Sequence, residues 1–150
     1  MRPVVLMLAL AAAGAVPAQV AARAPTPAAR QAAAVVEHTY LKALPGERDN
    51  LVRFIEQNWF AMDAVGVKQG LFTHYAVYQA ADDAADWDVL VVVGYPTVQG
   101  YDAPGTAAAF EAIRKATPIR LIDGKGLAQL GKIIASRRLR PGASDTATER

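Results

Sequence analysis

The chain contains no cysteine, only two histidines, no long apolar run and no marked excess of either charge. Without cysteine there is no disulfide framework, no thiolate metal site, no cysteine nucleophile and no lipid-modified cysteine anchor. A domain of this kind outside the cytoplasm must be held by its core alone. The longest apolar stretch, Val4 to Ala15, has 12 residues, against the roughly 20 that a bilayer-spanning helix requires. Basic and acidic residues number 16 and 14, so the balance names no strongly charged partner. The one cationic cluster, "SRRLRPG" (136–142), carries no interleaved aromatics. Nucleic-acid recognition needs a broad basic face and is not expected.

What is present begins with "MRPVVLMLALAAAGAVPAQVAAR", which has the three parts of a secretory signal: Arg2, the apolar stretch, and small residues at Val16 and Ala18. The reading is a signal over residues 1–18, with Ala22 as an alternative cleavage point, and export to a bacterial periplasm or beyond. No membrane contact is expected after cleavage. Residues 19–33, rich in Ala and Pro, read as a flexible lead, and 142–150 as a disordered tail. One domain remains, over 34–141.

Within it, "AVVEHTYLKAL" mixes β-branched and aromatic residues and stops at Pro45-Gly46, as a strand does. Leu51, Phe54, Ile55, Asn58, Met62 and Val65 then follow one helical face, interrupted only by Asn58. Gly70 suits a left-handed C-cap. "LFTHYAVYQA" and "WDVLVVVGYP" read as two strands joined by "ADDAAD", and the run Val89 to Val93 marks a central strand. Thr106 to Ala116 reads as a second helix with Phe110 and Ile113 facing inward. In the last stretch, "GLAQLGKIIASRR" could be a helix. The preferred alternative is a short turn over Leu127 to Leu130 followed by a fourth strand with β-branched Ile133 and Ile134.

The resulting order is β-α-β-β-α-β: an α+β fold of the ferredoxin-like, split β-α-β kind, an antiparallel sheet with both helices on one face. Right-handed crossovers put the first and third strands at its centre. Over residues 34–141 this order resembles the dimeric α+β barrel superfamily, in which two sheets pack face to face. "YLKALPGERDNLVRFIEQNWFAMD", "DWDVLVVVGYPT" and "IDGKGLAQLGKIIASRRLRP" resemble small exported bacterial proteins of unassigned function. The superfamily includes haem-degrading and quinone-forming monooxygenases and small decarboxylating or dehalogenating enzymes. The resemblance implies this fold and a homodimer, and it carries over no residue role.

Strand alternation groups Val36, His38, Tyr40 and Lys42, and separately Phe72, His74, Ala76 and Tyr78; on the third strand it groups Trp87 with Val89, Val91, Val93 and Tyr95. A face gathering His38, Tyr40, His74 and Tyr78 would be polar and aromatic, as ligand cavities are. Three functional classes follow. The chain binds an apolar or aromatic small molecule in the sheet cavity, with Tyr40, Phe72, Tyr78 and Tyr95 as ligand-binding candidates. Alternatively, it is an oxygenase-like or isomerase-like enzyme with His38 or His74 as general base. The plain alternative is a structural or interaction protein of the envelope, whose histidines only hydrogen-bond their neighbours. Two histidines from different strands could form part of a metal site, but no metal or cofactor is expected. "DDAADWD" misses the glycine and ligand spacing of a calcium loop, and "IDGKG" misses the Lys-Ser/Thr ending of a phosphate loop. Both read as turns. "GYPTVQGY" offers aromatics beside glycines and could form the lip of a pocket.

Overall fold

The computed structural model describes residues 32–82 and 85–142. The signal over 1–18, nearly all of the lead, the tail beyond 142 and Asp83 of the acidic loop lie outside the described residues. Strand β1, Val35–Ala43, leads into helix α1, Arg48–Phe54, a π-helical turn over Ile55–Trp59, and helix α2, Phe60–Lys68. Strands β2, His74–Gln79, and β3, Val89–Tyr95, form the hairpin. A 3-10 turn at Gly100–Asp102, helix α3, Thr106–Ala116, the short α4, Leu127–Leu130, and strand β4, Gly131–Leu139, complete the order.

All pairings are antiparallel and the strand order is β2-β3-β1-β4. This is the ferredoxin-like arrangement, with β1 and β3 central as the crossover rule requires. The final stretch resolves as the turn followed by a strand, because β4 finds a full partner in β1. That ladder carries one irregularity, between Tyr40 and Leu41, which leaves Ile134 without a partner on β1.

The register fixes which residues share a face. Leu41 opposes Val89, and both pack with Val91 beneath Leu51, Phe54 and Ile55 of the first helical stretch. Val35 opposes Tyr95, and both join Phe72 under Phe110 of α3. This is the helix-covered side. His38, Tyr40, Ala76, Tyr78, Leu90 and Val92 lie on the other side, which no described helix covers.

Two sequence expectations need correction. The first helical stretch is not uniformly α-helical: its π turn inserts an extra residue and rotates the inward face. Asp63 and Gly66 are therefore buried after Met62, while Val65 is only half-buried. Alternation also fails at the strand ends. Phe72 precedes β2 and packs on the helix side, not with His74, and Trp87 precedes β3 and meets the Tyr40 ring at 5.7 Å, away from Val89. Gly70 takes the left-handed φ of 74° expected of a C-cap. "IDGKG" is a tight turn, with positive φ at Asp123 and Gly124 and mutual backbone hydrogen bonds between Ile122 and Lys125.

A ring-lined cavity between sheet and helices

The π turn is where the site begins. Widening one helical turn removes regular partners from backbone carbonyls, and here a side chain supplies one. Fully buried Asn58 donates from Nδ2 to the Phe54 carbonyl at 2.9 Å and to the Arg120 carbonyl at 3.0 Å. Its Oδ1 accepts from the Arg120 amide at 2.7 Å. The polar break in the apolar stripe is thus a clamp between the helix and the segment that leads to α4. Next to it, Trp59 turns toward the space beneath the helices, while Phe60 packs on Tyr75 with ring centroids 4.6 Å apart.

That space is a cavity of about 600 Å³ between the helix-covered side of the sheet and the helices. Its aromatic wall is continuous: Phe72 meets Tyr95 edge-on at 5.2 Å and Phe110 at 5.0 Å, and Phe110 meets Tyr101 at 6.2 Å. Thr39, Val91 and Val93 form the sheet floor, and Ile133 of the edge strand and Leu127 close one side. Phe72 fits because Gly66 presents no side chain: a Cβ there would sit 2.6 Å from the Phe72 ring. A smaller, polar space of about 350 Å³ adjoins the cavity, sharing Thr39, Val93, Tyr95 and Tyr101 and adding Glu37, Asp102 and Arg138. In it Tyr95 donates to Glu37 Oε2 at 3.4 Å, Ser136 donates to Glu37 Oε1 at 3.2 Å, and Arg138 pairs with Asp102 at 2.9 Å.

Two ionisable groups on the cavity wall are strongly perturbed. Burial pushes the Asp63 carboxyl up to about 7. Burial, reinforced by the nearby negative charge of Glu37 and Asp63, pushes the Tyr95 phenol well above its usual range. At neutral pH Tyr95 is therefore a hydrogen-bond donor, and Asp63 is poised between acid and base.

The structure divides the sequence candidates. Phe72 and Tyr95 line the cavity. His38, Tyr40, His74 and Tyr78 share the bare side, as the alternation argument grouped them, and none of the four lines this cavity. Both histidines have near neighbours: His38 Nδ1 lies 3.4 Å from the Tyr40 hydroxyl, and His74 Nδ1 lies 3.0 Å from Thr73 Oγ1, its ring resting over Gly94. The cavity was expected on the bare side; it lies on the helix side, because the helices stand off the sheet over Val91 and Val93. Asp63, Trp59, Tyr101 and Phe110 were not singled out as site residues. For Tyr101 the signal was present in "GYPTVQGY", which does form part of the wall. For Asp63 the signal was Asn58, whose intrusion into the apolar stripe marks where the helical period slips.

Among the described residues no cluster of three or more His, Asp or Glu could hold a metal ion, and no helix is long and apolar enough to cross a membrane. No family model matches the chain, and no curated protein is similar to it. Among solved structures it is similar to HapK from Hahella chejuensis, at TM-score 0.49 and 10% identity over 75% of this chain and 97% of that one. A Pseudomonas aeruginosa protein has TM-score 0.43 and 13% identity over 77% and 100% of the two chains. A dimeric protein of unknown function and ferredoxin-like fold from Bacteroides fragilis has TM-score 0.36 and 13% identity over 71% and 93%. Likeness at this level transfers no chemistry, and the fold assignment rests on the strand register.

Proposed function

We propose that this is an exported, homodimeric protein that binds an apolar or aromatic small molecule in the cavity between its sheet and helices. The observation that carries the reading is the cavity itself. Its volume of about 600 Å³ lies within the range of small-molecule sites, and its wall has the usual makeup of rings and aliphatics with few polar groups. Export is the reading of the N-terminal sequence pattern. The homodimer is supported by the bare side of the sheet, where Tyr78 is 56% exposed and Leu139 43%; a second copy packed there would shield both.

The cavity favours this reading over a purely structural or interaction protein, which needs no internal space. The enzyme alternative with His38 or His74 as base draws no support from the cavity, since both rings stand on the other side of the sheet. Titration with the fluorescent probe N-phenyl-1-naphthylamine tests the proposal. Saturable enhancement at one probe per chain is expected, and it should vanish in Val93→Trp, where the added ring fills the floor. Enhancement that does not saturate, or that persists in a folded Val93→Trp variant, would count against the cavity. Light scattering tests the dimer: a monomer at tens of micromolar would refute it.

A further inference from the structure

One polar group in the cavity has no partner. Asp63 is 5% exposed, and no described residue hydrogen-bonds or ion-pairs with its carboxyl. Its surroundings make that exceptional. Glu37 accepts from Ser136 and Tyr95, Asp102 pairs with Arg138, and Glu111 faces Arg114 and Lys115 on α3. No fully enclosed side-chain oxygen or nitrogen among the described residues is without a partner. The Asp63 oxygens must therefore open onto the cavity space that the residue lines.

A buried carboxyl left unsatisfied costs stability that a bound donor would recover. We infer that Asp63 is the specificity-determining residue of the cavity, selecting ring compounds that carry a neutral hydrogen-bond donor such as an aromatic hydroxyl. The ring lies against Phe72, Phe110 and Trp59, and its hydroxyl donates to Asp63. An anion would meet the ionised form of the same carboxyl. A cation would shed its water in an apolar chamber after passing Arg114 and Lys115, which line the same cavity and are largely exposed. A neutral donor incurs neither penalty.

This inference rests on the ligand-binding reading above, and calorimetry with a matched pair of probes separates the two. The purified protein is titrated at neutral pH with 1-naphthol and with 1-methoxynaphthalene, which keeps the rings and removes the donor. The expected result is binding of both, with 1-naphthol tighter by roughly tenfold or more. In Asp63→Leu that advantage should disappear while 1-methoxynaphthalene binds as well as before. A second measurement needs no variant: 1-naphthol, but not 1-methoxynaphthalene, should move the carboxyl carbon resonance assigned to Asp63. Equal affinity of both probes for the wild-type protein, or an advantage that survives in Asp63→Leu, overturns the role of Asp63 and leaves the cavity standing. Failure of both probes to bind sinks the cavity reading and this inference with it.

Discussion

Replacing Asp63 by asparagine should remove a pH-dependent loss of stability between about pH 4 and pH 8. In the unfolded chain the carboxyl titrates near 3.8, and in the folded chain at about 7. Below the first value it is protonated in both states and contributes no difference. As the pH rises through the window, the unfolded chain gives up its proton while the folded chain retains it, so ionisation favours unfolding. At about 1.36 kcal/mol per pH unit, a separation of roughly three units removes roughly 4 kcal/mol by the time the pH passes the folded value. Beyond that point both states are ionised and the loss is complete. Asparagine cannot titrate, so its stability curve should stay level where the wild type falls. Urea unfolding followed by Trp59 and Trp87 fluorescence at several pH values between 4 and 8 would measure both curves. His38 and His74 are present in both proteins and cancel in the difference. Parallel curves, differing by a constant to within about 1 kcal/mol, would refute the claim that Asp63 is desolvated in the fold.

Asn58→Leu should cost about 2–4 kcal/mol in chemical denaturation, because the Phe54 and Arg120 backbone groups lose their buried partner. A cost below 1 kcal/mol would mean that the clamp is dispensable. Gly66→Ala should cost about 1–3 kcal/mol, since the new methyl group meets the Phe72 ring, and it should weaken naphthylamine binding by displacing that ring; unchanged binding would show that Phe72 is not part of the wall. Asp88→Ala should cost about 2–4 kcal/mol. Although burial opposes it, Arg48 at 2.7 Å, the Ala43 amide at 2.8 Å and Lys42 at 3.3 Å hold the Asp88 carboxyl below its usual range. This contribution is present above the unfolded value and lost as the pH falls through the folded one, so wild type and variant should converge in acid thermal melts.

The architecture could be read from the sequence because it depends on features that repeat over many residues. The apolar run Val89 to Val93 marked a central strand, Gly70 marked a helix end, and Ile133 with Ile134 marked a closing strand. Each of these signals is local and points the same way as the global fold. The bare-side grouping of His38, Tyr40, His74 and Tyr78 was legible for the same reason, since two-residue alternation holds within a strand. It fails outside one, which is why Phe72 and Trp87 were misplaced by a residue or two of assumed strand. The cavity was not legible, because its volume depends on how far the helices stand off the sheet, and no one-dimensional pattern encodes that distance. Asp63 was hidden for a narrower reason. A strict 3.6-residue period places it beside the buried stripe, and only a turn of different pitch brings it in.

That turn, Ile55–Trp59, makes the acid a matter of one residue's length. Deleting a single position there would let the helix wind regularly and swing everything after it by about 100° about the axis. The carboxylate would leave the chamber, an aliphatic neighbour would take its place, and sheet, hairpin and outer helix would all be kept. An indel at this spot would retune the guest while sparing the house, so the loosest coil in the helix is where this scaffold can change what it holds at least cost to itself.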